Sequence, residues 1–284
     1  MVSSHENSHA PWLEKLDFHH QVEYDIIQPM ISWLCDGQNL HILDAGCGTG
    51  TTTLLFANQG CMLVGVDQDE TALQNANKLL EQTSHVGQVV FQRGNVNQLP
   101  FEDDTFDMVW TSYVLHHIAD KLHVVGELKR VLKPGGRLAI REGGLPLQML
   151  PHDIGLGEPG LQDRLRVAQN TWFTAMTRHI LPDEKPYPFG WSQLLLDSKF
   201  TDVQARTFVT DFLPPFNKAQ QQFILHYFQR TLDRDDGKYG PLLNDADKKT
   251  LEQLTNENSE TFILKRRDLH VRYGLSVYLG VKPA

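Results

Sequence analysis

The sequence is short of cysteine, of long apolar runs and of positive charge, and each shortage removes a class of function. Three of its 284 residues are cysteine (Cys35, Cys47, Cys61), with no Cys-x-x-Cys pair. Such an odd, sparse set does not make a disulfide framework and suits a reducing compartment. No run of 18 apolar residues occurs, so no membrane span is predicted. The first ten residues are polar and lack an apolar signal core, which makes a cytoplasmic location the expectation. The formal net charge is −9, whereas proteins that grip a phosphate backbone usually carry a positive surplus. No nucleic-acid partner is therefore expected. With 40% hydrophobic and 21% charged residues, the chain reads as an ordinary globular protein, long enough for one large domain with an insertion. The sequence leaves the oligomeric state open.

Residues 1–36 read as a loose arm followed by a lid helix. The arm ends in a small amphipathic patch of Trp12, Leu13, Leu16 and Phe18. Val22, Ile26, Met30 and Trp33 then share one face at helical spacing, with Pro29 expected to kink or divide the helix. From 37 to 142 strands and helices alternate. Short apolar runs at Leu40–Leu43, Met62–Val66, Val89–Phe91, Phe106–Trp110 and Arg137–Ile140 predict five strands of a parallel sheet, with helices between them. Residues 143–200 break this rhythm. A loop crowded with glycine and proline leads into a helical stripe from Leu161 to Met176 and a second helix at Trp191–Ser198, which together read as an inserted cap. Residues 201–284 supply two more strands, Val203–Val209 and Val271–Val281, around a helical insertion at 211–265. The expected fold is α/β: a doubly wound, seven-stranded, mostly parallel sheet with helices on both faces and a helical cap after the fifth strand.

The stretch Leu43-Asp44-Ala45-Gly46-Cys47-Gly48-Thr49-Gly50 joins the first strand to the first helix of that sheet. Doubly wound sheets bind ligands outside the carboxyl ends of their strands. Glycines there admit a ligand close to the main chain, and the helix N-terminus offers unpaired N–H groups. Asp67 ends the second strand, where a carboxylate can accept both hydroxyls of a ribose. The pair reads as a nucleoside-binding device; the plainer alternative is a tight turn and a helix cap. A dinucleotide fingerprint needs a third glycine, but Thr51 and Thr53 occupy the two positions where it would fall, and the Gly-Lys-Ser/Thr of a phosphate loop is absent.

LDAGCGTGTTTLLFANQG followed by GVDQDETAL resembles the first two motifs of the class I (Rossmann-like) S-adenosylmethionine-dependent methyltransferases. RGNVNQLPFEDDTFDMVWTSYVLHHIAD is similar to the third and fourth motifs, and ELKRVLKPGGRLAI to the helix and strand that follow. In style the chain is nearest the small-molecule branch that includes the ubiquinone and menaquinone biosynthesis enzymes. The resemblance covers 40–141, fades to the level of the fold at 200–281 and vanishes at 143–190. It implies S-adenosylmethionine as cofactor and a small-molecule acceptor whose reacting atom (oxygen, nitrogen or carbon) stays open. Gly46, Cys47 and Gly48 would contact the methionine part, Asp44 its amino group, Asp67 the ribose, and Gln68 the neighbourhood of the adenine. The family usually reads Gly-Asp-Ala after the third strand. Here Gly94-Asn95-Val96 stands there, with the Asn95 amide oxygen expected to accept from the adenine amino group. Thr111 and Ser112 would flank the sulfonium. Thr111-Ser112-Tyr113-Val114 differs from the Asn/Asp-Pro-Pro-Tyr/Phe of DNA-base methyltransferases, again against a nucleic-acid substrate.

His116 and His117 follow, and His117 is the residue to test as a general base; the alternative is that it braces the loop. No metal is expected, because adjacent histidines lack the spacing of helical metal sites. Tyr24, Tyr113, Trp172 and Trp191 are candidates for the acceptor pocket, each weighed against ordinary core packing. Two other functions remain to be tested: a nicotinamide-dependent oxidoreductase on a similar sheet, and a non-catalytic scaffold that binds the cofactor.

Overall fold

The structure is a computed structural model, and it describes residues 17–181, 185, 187–235 and 242–284. The amphipathic patch of Trp12, Leu13 and Leu16 lies outside the described residues. The chain begins with α1 (Phe18–Cys35), capped by the Asp17 carboxylate, which accepts from the His20 N–H. Pro29 sits inside α1 without dividing it. One face of α1 buries Val22, Ile26, Ile27, Met30, Ile31 and Leu34, and this packing offsets the one backbone bond that a proline removes.

The expected alternation follows: β1 (His41–Ala45), α2 (Thr51–Ala57), β2 (Met62–Asp67), α3 (Glu70–Gln82), β3 (Val89–Arg93), β4 (Phe106–Ser112), α4 (Lys121–Arg130) and β5 (Leu132–Arg141). Asp69 caps α3 through the N–H groups of Thr71 and Ala72. Next come α5 (Leu161–Ile180), α6 (Trp191–Asp197), β6 (Thr201–Phe212), α7 (Lys218–Asp233), α8 (Asp245–Thr255) and β7 (Val271–Val281). The sheet order is β3-β2-β1-β4-β5-β7-β6. Six strands are parallel, and β7 runs antiparallel to both β5 and β6. The order reverses between β1 and β4, which opens a crevice at their carboxyl ends.

Two apolar layers hold the sheet. On one face Trp110 and Met108 pack with α1, α2 and α7; on the other Val109 and Leu138 pack with Val124, Leu128, Leu194 and Leu195 of α4 and α6. Helix α5 lies with α7 and α8: Arg164 donates from Nε and Nη2 to the Asp247 carboxylate at 2.8 Å each, and Gln169 donates to Thr231 at 2.8 Å. Buried Gln162 pins the loop ahead of α5 by accepting from Met149 and Leu150 N–H (2.8 and 2.7 Å) and donating to Leu147 O (2.9 Å). No helix among the described residues is long and apolar enough to cross a membrane.

Candidate functional site

Two adjoining cavities lie at the carboxyl edge of β1, β2 and β4. The larger, about 650 Å³, is lined by Asp67, Gln68, Gly94, Asn95, Val96 and His117 among others. The smaller, about 380 Å³, is lined by Asp44, Cys47, Trp110, Arg141, Glu23 and Arg230 among others. Gly46, Gly48, Ser112 and Tyr113 belong to both. The glycine loop is thus the floor shared by the two.

Gly46 and Gly48 adopt φ of 81° and 52°, left-handed values that disfavour any side chain. A Cβ on Gly46 would also run into the Val114 side chain. The N–H groups of Gly46 and Cys47 both donate to Val66 O, at 2.8 and 3.0 Å, and tie the loop to β2. Asp67 completes the tie: its Oδ2 accepts from the Gly48 N–H at 2.8 Å and its Oδ1 from the Asp69 N–H at 2.9 Å. The carboxylate is thereby fixed at the lip of the larger cavity, with lone pairs still available to hydroxyl donors.

Asp44 is 2% exposed and accepts from Thr53 Oγ1–H at 2.6 Å. Burial pushes its carboxyl up to about 7; the nearby Asp67 charge adds to this, and the Thr53 bond opposes it. A buried carboxyl poised there gains a charge readily when a cation arrives beside it. Burial also pushes the Cys47 thiol well up, helped by the charges of Asp44 and Asp67, so it stays protonated.

Asn95 lines the larger cavity, but its Oδ1 already accepts from the Asn97 N–H (2.9 Å) and from Asn97 Nδ2 (2.8 Å). With both lone pairs engaged, its uncommitted groups are donors, not the acceptor expected from the sequence. Of Thr111 and Ser112, only Ser112 reaches a cavity. Strand alternation turns Thr111 to the opposite face, where it is 1% exposed with its Oγ1 unpartnered.

His117 faces the larger cavity from a short 3-10 turn (Leu115–His117). Burial, then the neighbouring His116, lowers its pKa, so it is neutral at pH 7. His116 is held by Glu142, which is 3% exposed: Nδ1 lies 2.9 Å from Oε2, and the backbone N–H donates to Oε1 at 3.3 Å. The two imidazoles stand 3.9 Å apart. Among the described residues no three His, Cys, Asp or Glu side chains gather as a metal site.

Tyr113 is the one acceptor candidate that lines a cavity. It takes φ +55°, unusual for a bulky residue, and its ring lies 4.8 Å from the Arg141 guanidinium carbon. Tyr24 packs partly buried against the α1 core. Trp172 sits on α5 with the Arg234 guanidinium 4.0 Å from its ring. Trp191 opens α6 and packs in the layer on the other face of the sheet. None of these three lines either cavity. The sequence reading missed Glu142, Arg141 and Glu23. Arg141-Glu142 does carry a signal, two charged residues ending the buried strand Leu138-Ala139-Ile140, but their partners sit on distant segments.

The cradle has the parts that a nucleoside with an aminoacyl group needs. There is a carboxylate at the lip of the larger cavity, a buried ionisable acid in the wall of the smaller, and a glycine floor between them. Residues 43–140 match a family model described as a methyltransferase domain. The 27-O-demethylrifamycin SV methyltransferase of Amycolatopsis mediterranei is 37% identical over 116 residues, 40% of this chain and 41% of that one. A demethylmenaquinone methyltransferase of Lactiplantibacillus plantarum is 37% identical over 115 residues, 39% of this chain and 48% of that one. The match thus spans less than half the length of either relative. In fold, a solved Bacillus halodurans protein superposes with a TM-score of 0.55 at 19% identity, covering 90% of this chain and 99% of its own. Neither the oxidoreductase nor the scaffold alternative draws support from these matches. Residues 43–140 are therefore a methyltransferase domain.

Proposed function

We propose that this chain transfers a methyl group from S-adenosylmethionine to a small-molecule acceptor by in-line displacement. The observation that carries this reading is the pair of cavities sharing Gly46, Gly48, Ser112 and Tyr113, with Asp67 serving one and Asp44 the other. Bound S-adenosylmethionine supplies a methyl group on a sulfonium, already a strong electrophile. Asp67 takes the ribose hydroxyls, and Asp44 the amino group. Gly46, Cys47 and Gly48 bring the main chain against the methionine part, while Gln68, Gly94 and Val96 flank the adenine. Ser112 and Tyr113 border the junction of the two cavities, where donor and acceptor meet. Orientation alone can remove roughly 7–11 kcal/mol of barrier.

His117 faces the larger cavity in its neutral form and accepts the proton of a hydroxyl acceptor; His116, held by Glu142, positions it from behind. A neutral nitrogen or a stabilised carbanion needs no such base. The helices of 143–200 and 211–265 form the cover over the acceptor. The two relatives reported above act, by name, on 27-O-demethylrifamycin SV and on demethylmenaquinone, and the acceptor proposed here is likewise a small molecule. Neither a nucleic-acid partner nor a metal enters the proposal. Three free cysteines, two of them buried, suit a cytoplasmic setting.

The test is calorimetric titration with S-adenosylmethionine and NADH, followed by a screen of acceptor pools for S-adenosylhomocysteine release. Saturable S-adenosylmethionine binding and acceptor-dependent release are expected. Binding of NADH alone would reverse the reading, and tight cofactor binding without release on any pool would favour the scaffold.

A further inference from the structure

The wall of the smaller cavity holds two donors, on Trp110 and Arg141, that the donor site described above does not use, and Tyr273 adds a third outside its lining. They lie on the sheet face covered by α1 and α7, where register places Ser112 beside Arg141 and Arg141 beside Val277. Trp110 lines this cavity, is wholly buried, and its indole N–H has no partner. Arg141 lines it too and is 3% exposed. One of its terminal nitrogens donates to Glu23 Oε2 at 2.6 Å, which fixes the guanidinium, but its Nε–H is unpartnered. Tyr273 on β7 is 7% exposed, carries a hydroxyl without a partner, and is reached by the charges of both Glu23 and Arg141. A bare buried donor is costly, and buried polar groups are nearly always paired. The wall carries two guanidinium groups, Arg141 and Arg230, and two carboxyl groups, Glu23 and Asp44. The wall therefore tolerates a ligand that brings a negative end to Arg141 and a positive end to Asp44.

We propose that Arg141 and Trp110, backed by Tyr273, are a carboxylate-binding site. The proposal rests on the donor-site reading above. The same chemistry has two sources: the aminoacyl carboxylate of the methyl donor, or a carboxylate on the acceptor. Charge-assisted bonds to a guanidinium in a dry site are the strong kind, and an indole N–H adds a donor of fixed direction.

The experiment compares wild type, Arg141→Gln and Tyr273→Phe. Each is titrated with S-adenosylhomocysteine and with 5′-methylthioadenosine, which lacks the aminoacyl group. Each S-adenosylhomocysteine complex is then titrated with benzoate. If the donor supplies the carboxylate, Arg141→Gln weakens S-adenosylhomocysteine by about tenfold or more and Tyr273→Phe by about threefold, while 5′-methylthioadenosine stays within about twofold. If the acceptor supplies it, both nucleosides bind unchanged, and benzoate binds the wild-type complex but not the Arg141→Gln complex. Equal loss of both nucleosides overturns the proposal, as does no change in either together with no benzoate binding. Tyr273→Phe removes only a hydroxyl that lacks a partner, so it decides the matter if Arg141→Gln does not fold. A wild-type chain that binds neither nucleoside overturns the donor-site reading itself, and the proposal with it.

Discussion

Asp44→Asn separates what the fold needs from what the site needs. The substitution keeps the shape of the side chain and an oxygen that can accept from Thr53 Oγ1, so only the ionisable proton changes. In the folded chain the Asp44 carboxyl sits at about 7 against 3.8 for the free group. The native state therefore holds this proton more tightly than the unfolded chain. Stability contributed by Asp44 is complete below 3.8 and drains away as pH rises to about 7. At 1.36 kcal/mol per unit, the stretch from pH 5.5 to 7 is worth about 2 kcal/mol. Urea unfolding of wild type and Asp44→Asn at pH 5.5 and pH 8 should show the variant gaining on the wild type by about that amount. The difference also cancels His19, His117 and His226, whose depressed values shift stability the opposite way in this window. Cofactor affinity should move in the other direction. A cationic amino group beside Asp44 must displace the proton, so wild-type affinity for S-adenosylmethionine rises up to about tenfold per unit from pH 5.5 to 7. In Asp44→Asn the affinity is flat over this range and about 100-fold weaker at pH 7.5. Parallel affinity profiles in the two proteins, or a variant that gains no stability at pH 8, would refute the reasoning.

Asp67→Ala removes an acceptor for the Gly48 N–H as well as the proposed ribose contact, and calorimetry should show S-adenosylmethionine affinity falling by about 30-fold or more. Gly46→Ala combines a left-handed φ with overlap on Val114; a loss of unfolding free energy of about 2 kcal/mol or more, read from urea unfolding, is expected, along with loss of cofactor binding. If the acceptor is a hydroxyl, His117→Ala lowers kcat by about 10²–10⁴ with cofactor affinity within twofold, and wild-type kcat falls as pH drops through a value below 6.5. Glu142→Gln should move that pH profile without changing cofactor affinity, which a purely structural role would not do.

Most of the sheet was legible because its strands are buried on both faces and are written as short apolar runs with glycine or an N-cap after them. β1, β2 and β4 fall where the runs at 40–43, 62–66 and 106–110 placed them. β5 was less legible. Its first residues, Leu132 to Gly136, hold a proline and two glycines and lie ahead of the predicted run Arg137–Ile140, yet they belong to the strand across a register shift beside Phe106 and Met108. β6 extends to Thr201–Phe212 although its residues are largely exposed, because pairing with β7 along its whole length supplies what local burial does not. Pro29 misled for a related reason: local chemistry predicts a break, and six buried apolar side chains of α1 outweigh it.

The same division explains the site. The proposed donor half is built from strand ends and the turns that follow them, so its residues fall in short contiguous stretches: 44–48, 67–68, 94–96 and 112–113. A motif of a few residues fixes their geometry. The Asn95 oxygen is an instructive failure within that half, because a neighbour two residues on, Asn97, claims both of its lone pairs in a turn. The other half brings Glu23 of α1 to Arg141 of β5 across 118 positions, and Arg230 of α7 into the same wall. No spacing rule links such residues; only the packing of α1 and α7 over the sheet does. Aromatic candidates chosen by type alone went elsewhere: Trp172 sits on α5 under the Arg234 guanidinium, and Trp191 packs in the far layer. The acceptor should therefore be sought through the charged groups of that wall, since an ionic group is not easily spared from pairing, whereas an aromatic ring can stand exposed, as Phe173 and Phe189 do, without lining either cavity.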